Sequence, residues 1–166
     1  LLVQMFPGII ILVPYFLVMK TLGLLNSHLG LILAYCVTAL PLCVWMLEGF
    51  FDTVPRELEE AALLDGCTQF QVFTKVVLPL SLPAVAVTAL FSFLAAWNEF
   101  LLALTFNTSN DMYTLPVGLY SMVSSTGQAW GDFAAASLLV SLPVALLFLF
   151  FQKFLIEGLS AGGVKG

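Results

Sequence analysis

The chain is 166 residues long, 61% hydrophobic and 9% charged, with a formal net charge of −5. So few charges against so much apolar side chain exclude a water-soluble globular enzyme and indicate an all-α, polytopic membrane protein. The net charge itself decides little, because in a membrane protein the placement of charges matters more than their sum.

Residues 1–19 (LLVQMFPGIIILVPYFLVM) are uncharged and, at about 1.5 Å per residue, long enough to approach the roughly 30 Å of a hydrocarbon core. Pro7 and Pro14 are expected to bend this helix, which a membrane tolerates where neighbouring helices satisfy the freed carbonyls. The run begins at Leu1 with no polar leader and reads as the C-terminal part of a longer chain; a signal peptide is neither indicated nor excluded. Residues 20–28 (KTLGLLNSH) form a short exposed turn with His28 solvated, and residues 29–47 make a second span interrupted by Pro41. Cys36 and Cys43 lie about two helical turns apart, roughly 10 Å along the axis and beyond disulfide reach. With Cys67 they have no metal or redox spacing, so all three are read as small packing residues.

Residues 48–79 are a polar, charged island between apolar runs, and belong in water at the end of two spans. Pro55 opens a helix whose early Glu57, Glu59 and Glu60 suit the positive end of the helix dipole. Gly66 is expected to stop that helix in a left-handed conformation. Thr68 and Gln71 have the spacing of a capping box, starting a second short helix before Leu78-Pro79. Helix, sharp bend, helix outside the bilayer is the form of a docking knob. Ala61 and Ala62 allow close backbone approach, Leu58 and Leu64 can fill an apolar pocket, and Asp65 can fix orientation.

A third span, residues 80–106, follows Pro79, contains Pro83 near its start and is long enough to tilt. Within it Trp97-Asn98-Glu99-Phe100 places a carboxylate at membrane depth, at a cost of about 2.5–3.5 kcal/mol that a cavity or a partner must offset. Residues 107–131 are a polar connection with Tyr113, Tyr120 and Trp130 suited to the headgroup level. Residues 133–156 form a fourth span bent by Pro143, and residues 157–166 (EGLSAGGVKG) are too polar and glycine-rich to continue it. The whole chain, 1–166, is read as a single membrane domain. Four spans put Arg56, Lys75, Lys153 and Lys165 on one side and only Lys20 on the other, so the positive-inside rule makes the island and the tail cytoplasmic. One His, no nucleophile–base pair, no phosphate-binding Gly loop and no carboxylate cluster at metal spacing leave no catalytic centre, metal site or cofactor expected on this chain. No nucleic-acid partner is expected.

Glu60-Ala61-Ala62, three residues, Gly66, nine residues, Val76, one residue and Leu78-Pro79 resembles the EAA signature of permease subunits in ATP-driven, binding-protein-dependent (ABC) importers. Val76 stands where that family usually has Ile. Trp97-Asn98-Glu99-Phe100-Leu101-Leu102 is similar to a run common in the carbohydrate-uptake branch. The stretches at residues 130–136 and 158–166 look like the second permease subunit of maltose-type importers. The resemblance covers the whole chain, most strongly from Asp52 onward.

That resemblance implies a type I ABC importer permease, a transmembrane helical bundle in a bacterial cell membrane and in contact with membrane lipid. It implies four partners: a second permease subunit, a cytoplasmic ATPase dimer that holds ATP-Mg, an extracytoplasmic solute-binding protein facing residues 107–131, and a sugar as solute. The ATPase-coupling residues it implies are Glu60, Ala61, Ala62, Leu64, Asp65, Gly66, Leu78 and Pro79. Asn98 and Glu99 line or brace the pathway near its outer end, and Gly162, Gly163 and Lys165 lie in a tail against the ATPase. Other readings of the same residues stay open. Glu99 can hydrogen-bond a neighbouring helix without meeting solute, and the tail can be free. The knob can serve a non-transport scaffold or receptor, or be an ordinary well-capped interfacial loop. An intramembrane enzyme built on Glu99 and Asp132 would need a second catalytic group.

Overall fold

The computed structural model describes residues 7–125 and 130–163, which are helical with no strand among them. A short turn joins α1 (Gly8–Thr21) to α2 (His28–Phe51), and α3 (Arg56–Leu64) follows. A helical run then passes through α4 (Gln69–Val72), a π-helical segment (Phe73–Val77) and α5 (Leu78–Leu80). Next come α6 (Leu82–Trp97), α7 (Leu101–Phe106), a 3-10 turn (Asn110–Met112), α8 (Leu115–Ser125) and α9 (Trp130–Gly163). By length and composition α2 and the Trp130–Phe154 part of α9 can each cross a membrane, with mean hydropathies of 2.1 and 2.4. The Gln69–Leu80 and Leu82–Trp97 runs qualify together across a 71° bend, while α1 is a shorter apolar helix.

Several elements depart from the sequence reading. Pro7 occupies the N-cap of α1, with φ −55° and ψ 124°, and so starts the helix instead of bending it. Residues 80–106 are not one helix: the chain turns at Ser81 and breaks again at residues 98–100. The first interruption has a cause in the backbone. Pro79 offers no N–H to a carbonyl four residues back, and its ring would crowd that carbonyl in a regular α-helix. Just before it the helix widens, and the Leu78 N–H donates to the Phe73 carbonyl, five residues back. Ser81 is fully buried and its Oγ donates to the Val77 carbonyl at 2.7 Å, closing the turn. Within residues 107–131, expected as a polar connection, the chain forms α8, which has Pro116 in its first turn, where a missing N–H costs nothing. α8 buries Val117. α9 itself continues to Gly163, whereas the stretch of it apolar enough to cross a membrane ends at Phe154, close to the expected residue 156.

The described residues gather into two compact units, one within residues 1–42 and 92–146, the other within 43–91 and 147–166. The first has a core of Met19, Leu31, Ala34, Ala103, Phe106 and Val117, drawn from α1, α2, α7 and α8. Its α1–α2 turn is closed by local bonds. The Gly23 N–H donates to the Lys20 carbonyl at 3.1 Å and the Leu24 N–H to the Met19 carbonyl at 2.9 Å, with Gly23 at φ +68°, the paired bonds of a Schellman end. Ser27 Oγ then accepts from the Gly30 N–H at 3.1 Å and caps α2. Between them Asn26 takes φ +55°, and its N–H donates to the Phe106 carbonyl at 2.9 Å. Its Oδ1 accepts from the N–H groups of Thr108 (2.8 Å) and Ser109 (3.1 Å) and from Ser109 Oγ (3.1 Å). One side chain thus ties the α1–α2 turn to the chain leaving α7.

The second unit has a smaller core of Val54, Val72 and Val77, against which Phe51, Ala62 and Cys67 pack. Along α1, α2 and α9 many large apolar side chains are exposed, among them Ile9, Leu17, Leu40, Leu139 and Phe150. Such surface is of the kind that lipid or further protein covers.

The Asn26 clasp gives a stability test. Asn26→Ala removes the shared acceptor and should cost about 1–2 kcal/mol in thermal unfolding of the detergent-solubilised protein. Asn26→Asp keeps an acceptor oxygen and the tolerance for positive φ, and should recover most of that loss. Equal unfolding temperatures for wild type and Asn26→Ala would show that the clasp contributes nothing.

Candidate functional site

The knob is built from its ends inward. α2 finishes with tightened turns in which the Thr53 and Val54 N–H groups donate to Phe50 and Phe51 carbonyls at 2.9 and 3.1 Å. Pro55, with φ −62° and ψ 126°, stands at the N-cap of α3, and Glu57 and Glu59 fill the first helical turn with negative charge. That charge meets the positive end of the helix dipole without a side-chain cap. At the other end Gly66 sits at φ +88°, as its place after the helix demands. Its N–H donates to the Leu63 carbonyl and that of Cys67 to the Ala62 carbonyl, both at 3.0 Å. These are the two bonds of a Schellman motif. A Cβ on Gly66 would meet nothing within 4 Å, so the requirement for glycine there is conformational and not steric.

The next helix starts one residue after Cys67. Thr68 Oγ1 accepts from the Gln71 N–H at 3.3 Å, and Gln71 Oε1 accepts from the Thr68 N–H at 2.9 Å, completing the reciprocal capping box. Phe51 and Phe73 meet edge to face, with centroids 6.3 Å apart and an interplanar angle of 79°. An open cleft of about 690 Å³ runs along this assembly, bordered by Arg56, Glu59, Glu60, Leu63, Gln69 and Phe73 among others.

Burial divides the sequence-predicted coupling residues into two groups. Glu60, Ala61, Leu64, Asp65 and Gly66 are exposed, and Leu64 retains 89% of its accessible surface. Ala62 instead turns inward onto the Val54–Val72–Val77 cluster. Its small side chain permits close approach inside the knob, while Ala61 lies on the open surface. Leu78 is half-buried and Pro79 exposed, both in α5 beyond the π segment. The second helix starts at the expected capping box, and α5 continues directly from the π segment through Leu78 and Pro79 to Leu80. Phe70, exposed at 74%, was not singled out from the sequence. An aromatic residue inside the capping box, between Thr68 and Gln71, is the signal that marks it.

The second group of candidates lies at the interruption between α6 and α7. Asn98 is exposed and its Nδ2 donates to the Leu94 carbonyl at 2.8 Å. Glu99 is half-buried and accepts at both carboxylate oxygens, from the Leu102 N–H (2.8 Å), the Ala103 N–H (3.0 Å) and the Tyr35 hydroxyl (3.0 Å). It borders a cavity of about 360 Å³ lined by Ile11, Leu12, Tyr15, Thr38, Pro41 and Leu102, among others. In the tail, Gly162 and Gly163 are the last two residues of α9, and Lys165 lies outside the described residues. Among the described residues no group of three or more His, Cys, Asp or Glu side chains could hold a metal ion, and Cys36, Cys43 and Cys67 form no disulfide.

The Gly66 geometry carries a specific expectation. Gly66→Val forces a β-branched residue to φ +88°, a strain of roughly 1–3 kcal/mol, whereas Gly66→Asn places there a residue that tolerates the left-handed region. Membrane insertion should be normal in both variants. Co-purification of the ATPase implied by the resemblance should be lost or strongly reduced in Gly66→Val and kept in Gly66→Asn. Equal recovery from the two would argue that the bend is not what the ATPase requires.

Comparison with known proteins converges on one family. The family described as "Binding-protein-dependent transport system inner membrane component" matches residues 1–160. The chain is 45% identical over 164 residues to the sulfoquinovosyl glycerol transport system permease protein SmoH of Agrobacterium fabrum, covering 99% of this chain and 58% of SmoH. It is 44% identical, over a 172-residue alignment covering all of this chain and 58% of the relative, to the maltose/maltodextrin transport system permease protein MalG of Salmonella typhimurium. With the galactooligosaccharides transport system permease protein GanQ of Bacillus subtilis it shares 40% identity over 167 residues, covering 100% of this chain and 60% of GanQ. The chain therefore spans a little under two thirds of the length of these curated relatives. With nearly its whole length matched, this chain belongs to the family of inner membrane components of binding-protein-dependent transport systems.

Proposed function

We propose that the chain is the greater part of a permease subunit of an ATP-driven sugar importer in a bacterial cell membrane. It forms the translocation pathway with a second permease and itself hydrolyses nothing. The observation that carries this reading is the knob at residues 55–80, whose two short helices are capped at the bend by Gly66, Thr68 and Gln71. Such a knob transmits displacement, because capped helices packed on a common core do not absorb it by bending. The relatives lend the solute class: SmoH, MalG and GanQ are named for transport of a sulfoquinovosyl glycerol, maltodextrins and galactooligosaccharides. A scaffold reading draws no support from relatives that are named as transport permeases.

In the proposed mechanism a cytoplasmic ATPase dimer, carrying ATP and Mg²⁺, grips Glu60, Ala61, Leu64, Asp65 and Gly66, while Ala62, Leu78 and Pro79 hold the knob's shape behind them. Closure of the ATPases moves the knob as a body and rocks the membrane helices, so that the pathway opens toward an extracytoplasmic binding protein docked on residues 107–131. Asn98 and Glu99 sit along that pathway, and the tail with Gly162, Gly163 and Lys165 lies against the ATPases. The distribution of Arg56, Lys75, Lys153 and Lys165 supports a cytoplasmic side for the knob and tail by the positive-inside rule.

Two measurements test the reading. The full-length permease, reconstituted in vesicles with its second permease, ATPase and binding protein, should hydrolyse ATP faster and take up sugar only when the loaded binding protein is present. No such stimulation by any sugar carried by the binding protein would refute import. With the native cysteines replaced, Asp65→Cys should react with an impermeant maleimide in inside-out vesicles and not in right-side-out ones. Reaction from the outer face alone would rule out contact with a cytoplasmic ATPase.

A further inference from the structure

We propose that Glu99 is a positioning residue, whose carboxylate fixes the start of α7 and fastens it to α2 through Tyr35, and that it does not touch the transported solute. The break at residues 98–100 exposes the first N–H groups of α7, and Phe100, at its N-cap, brings no side-chain cap. Glu99 supplies the missing acceptors. Oε1 takes the Leu102 N–H at 2.8 Å, and Oε2 takes the Ala103 N–H and the Tyr35 hydroxyl, both at 3.0 Å. A carboxylate offers about four acceptor positions, and three are filled from within the chain. All three partners donate, which is the pattern an ionised carboxylate takes, and such charge-assisted bonds strengthen where water is scarce.

Tyr35 stands 64 residues earlier in the chain, so the cap is also a tertiary tie between α7 and α2. The far end of α7 is held as well, by the Asn26 N–H on the Phe106 carbonyl and the Asn26 side chain on Thr108 and Ser109. Phe100, inside the break, meets Tyr120 of α8 edge to face with centroids 5.3 Å apart. α7 is thus pinned at both ends, and Glu99 is the pin that spans the interruption. The neighbouring cavity is mostly apolar, with Ile11, Leu12, Val37, Pro41 and Leu102 beside Glu99, and Tyr15 and Thr38 bring its other polar side-chain groups. The neighbouring Asn98 is exposed, its Nδ2 donating to the Leu94 carbonyl, and takes no part in the cap that Glu99 provides.

The transport part of the test rests on the importer reading, so a readout independent of transport comes first. In the assembled complex, amide hydrogen exchange of residues 101–106 should rise at least about tenfold in Glu99→Gln. The Gln amide turns a donor toward one of the N–H groups that the carboxylate accepted. Exchange should rise by a smaller factor in Tyr35→Phe, a milder variant that keeps the ring and carries the test should Glu99→Gln fail to assemble. In vesicles, both variants should lower maximal uptake while the sugar concentration for half-maximal uptake stays unchanged, and the double variant should be no worse than Glu99→Gln alone. Unchanged exchange, a raised half-saturating sugar concentration in Glu99→Gln with Tyr35→Phe neutral, or multiplying effects in the double variant would each overturn the assignment. Should exchange rise as expected while the wild-type complex transports no sugar, the importer reading fails and the role of Glu99 stands.

Discussion

A helix that is interrupted leaves backbone donors and acceptors unpaired, and in or near a membrane little water is at hand to take them. The described interruptions of this chain that shape the two candidate regions are closed by specific partners. Gly23 and Gly66 allow paired N–H bonds back onto the ends of α1 and α3. Ser27 caps α2, Thr68 and Gln71 cap α4, and Ser81 closes the bend after α5. Glu99 does the same for α7 with a carboxylate. The functional geometry depends on these closures, because a bend whose polar groups are paired holds one shape.

In the knob this constraint separates shape from surface. The core of Val54, Val72 and Val77 with Ala62 and Phe51 is small, and burial of so little apolar area is a weak force alone. Caps on both sides of Gly66 make up the difference by restricting the backbone locally. The opposite surface is left to Glu60, Ala61, Leu64 and Asp65, a short apolar and acidic face of the kind a partner's pocket reads. Leu64, exposed beside two carboxylates, is in keeping with the docking role proposed for this face.

The unit containing α7 uses the same device at longer range. Its core of six side chains joins four helices, but the placement of α7 is set by polar ties at its two ends, Asn26 at one and Glu99 with Tyr35 at the other. Hydrogen bonds are directional where apolar packing is not, so two such ties fix the register of a six-residue helix that packing alone would leave free to slide. Among the described residues of α9 several large apolar side chains, such as Leu139 and Phe150, stay exposed, in keeping with a family described as components of transport systems.

What the sequence determined alone were features whose partners lie within about five residues: the left-handed Gly66, the Thr68–Gln71 box, the acidic start of α3, and the succession of apolar runs. Their chemistry is complete in a short window of chain, so spacing suffices to read it. The EAA order was legible for the same reason, and it led to the family. Tertiary structure decided the rest. Which stripe of a nine-residue helix is covered put Ala62 inside and Ala61 outside, and neighbouring residues of the same kind carry no mark of it. The break at Glu99 and the helix hidden in residues 115–125 involve a partner from another helix or packing against other helices, whereas the widening before Pro79 has a local cause in the missing proline N–H. The Tyr35–Glu99 and Asn26–Thr108 bonds join residues 64 and 82 positions apart. No local pattern encodes such a distance, because only the folded chain brings those donors and acceptors within reach.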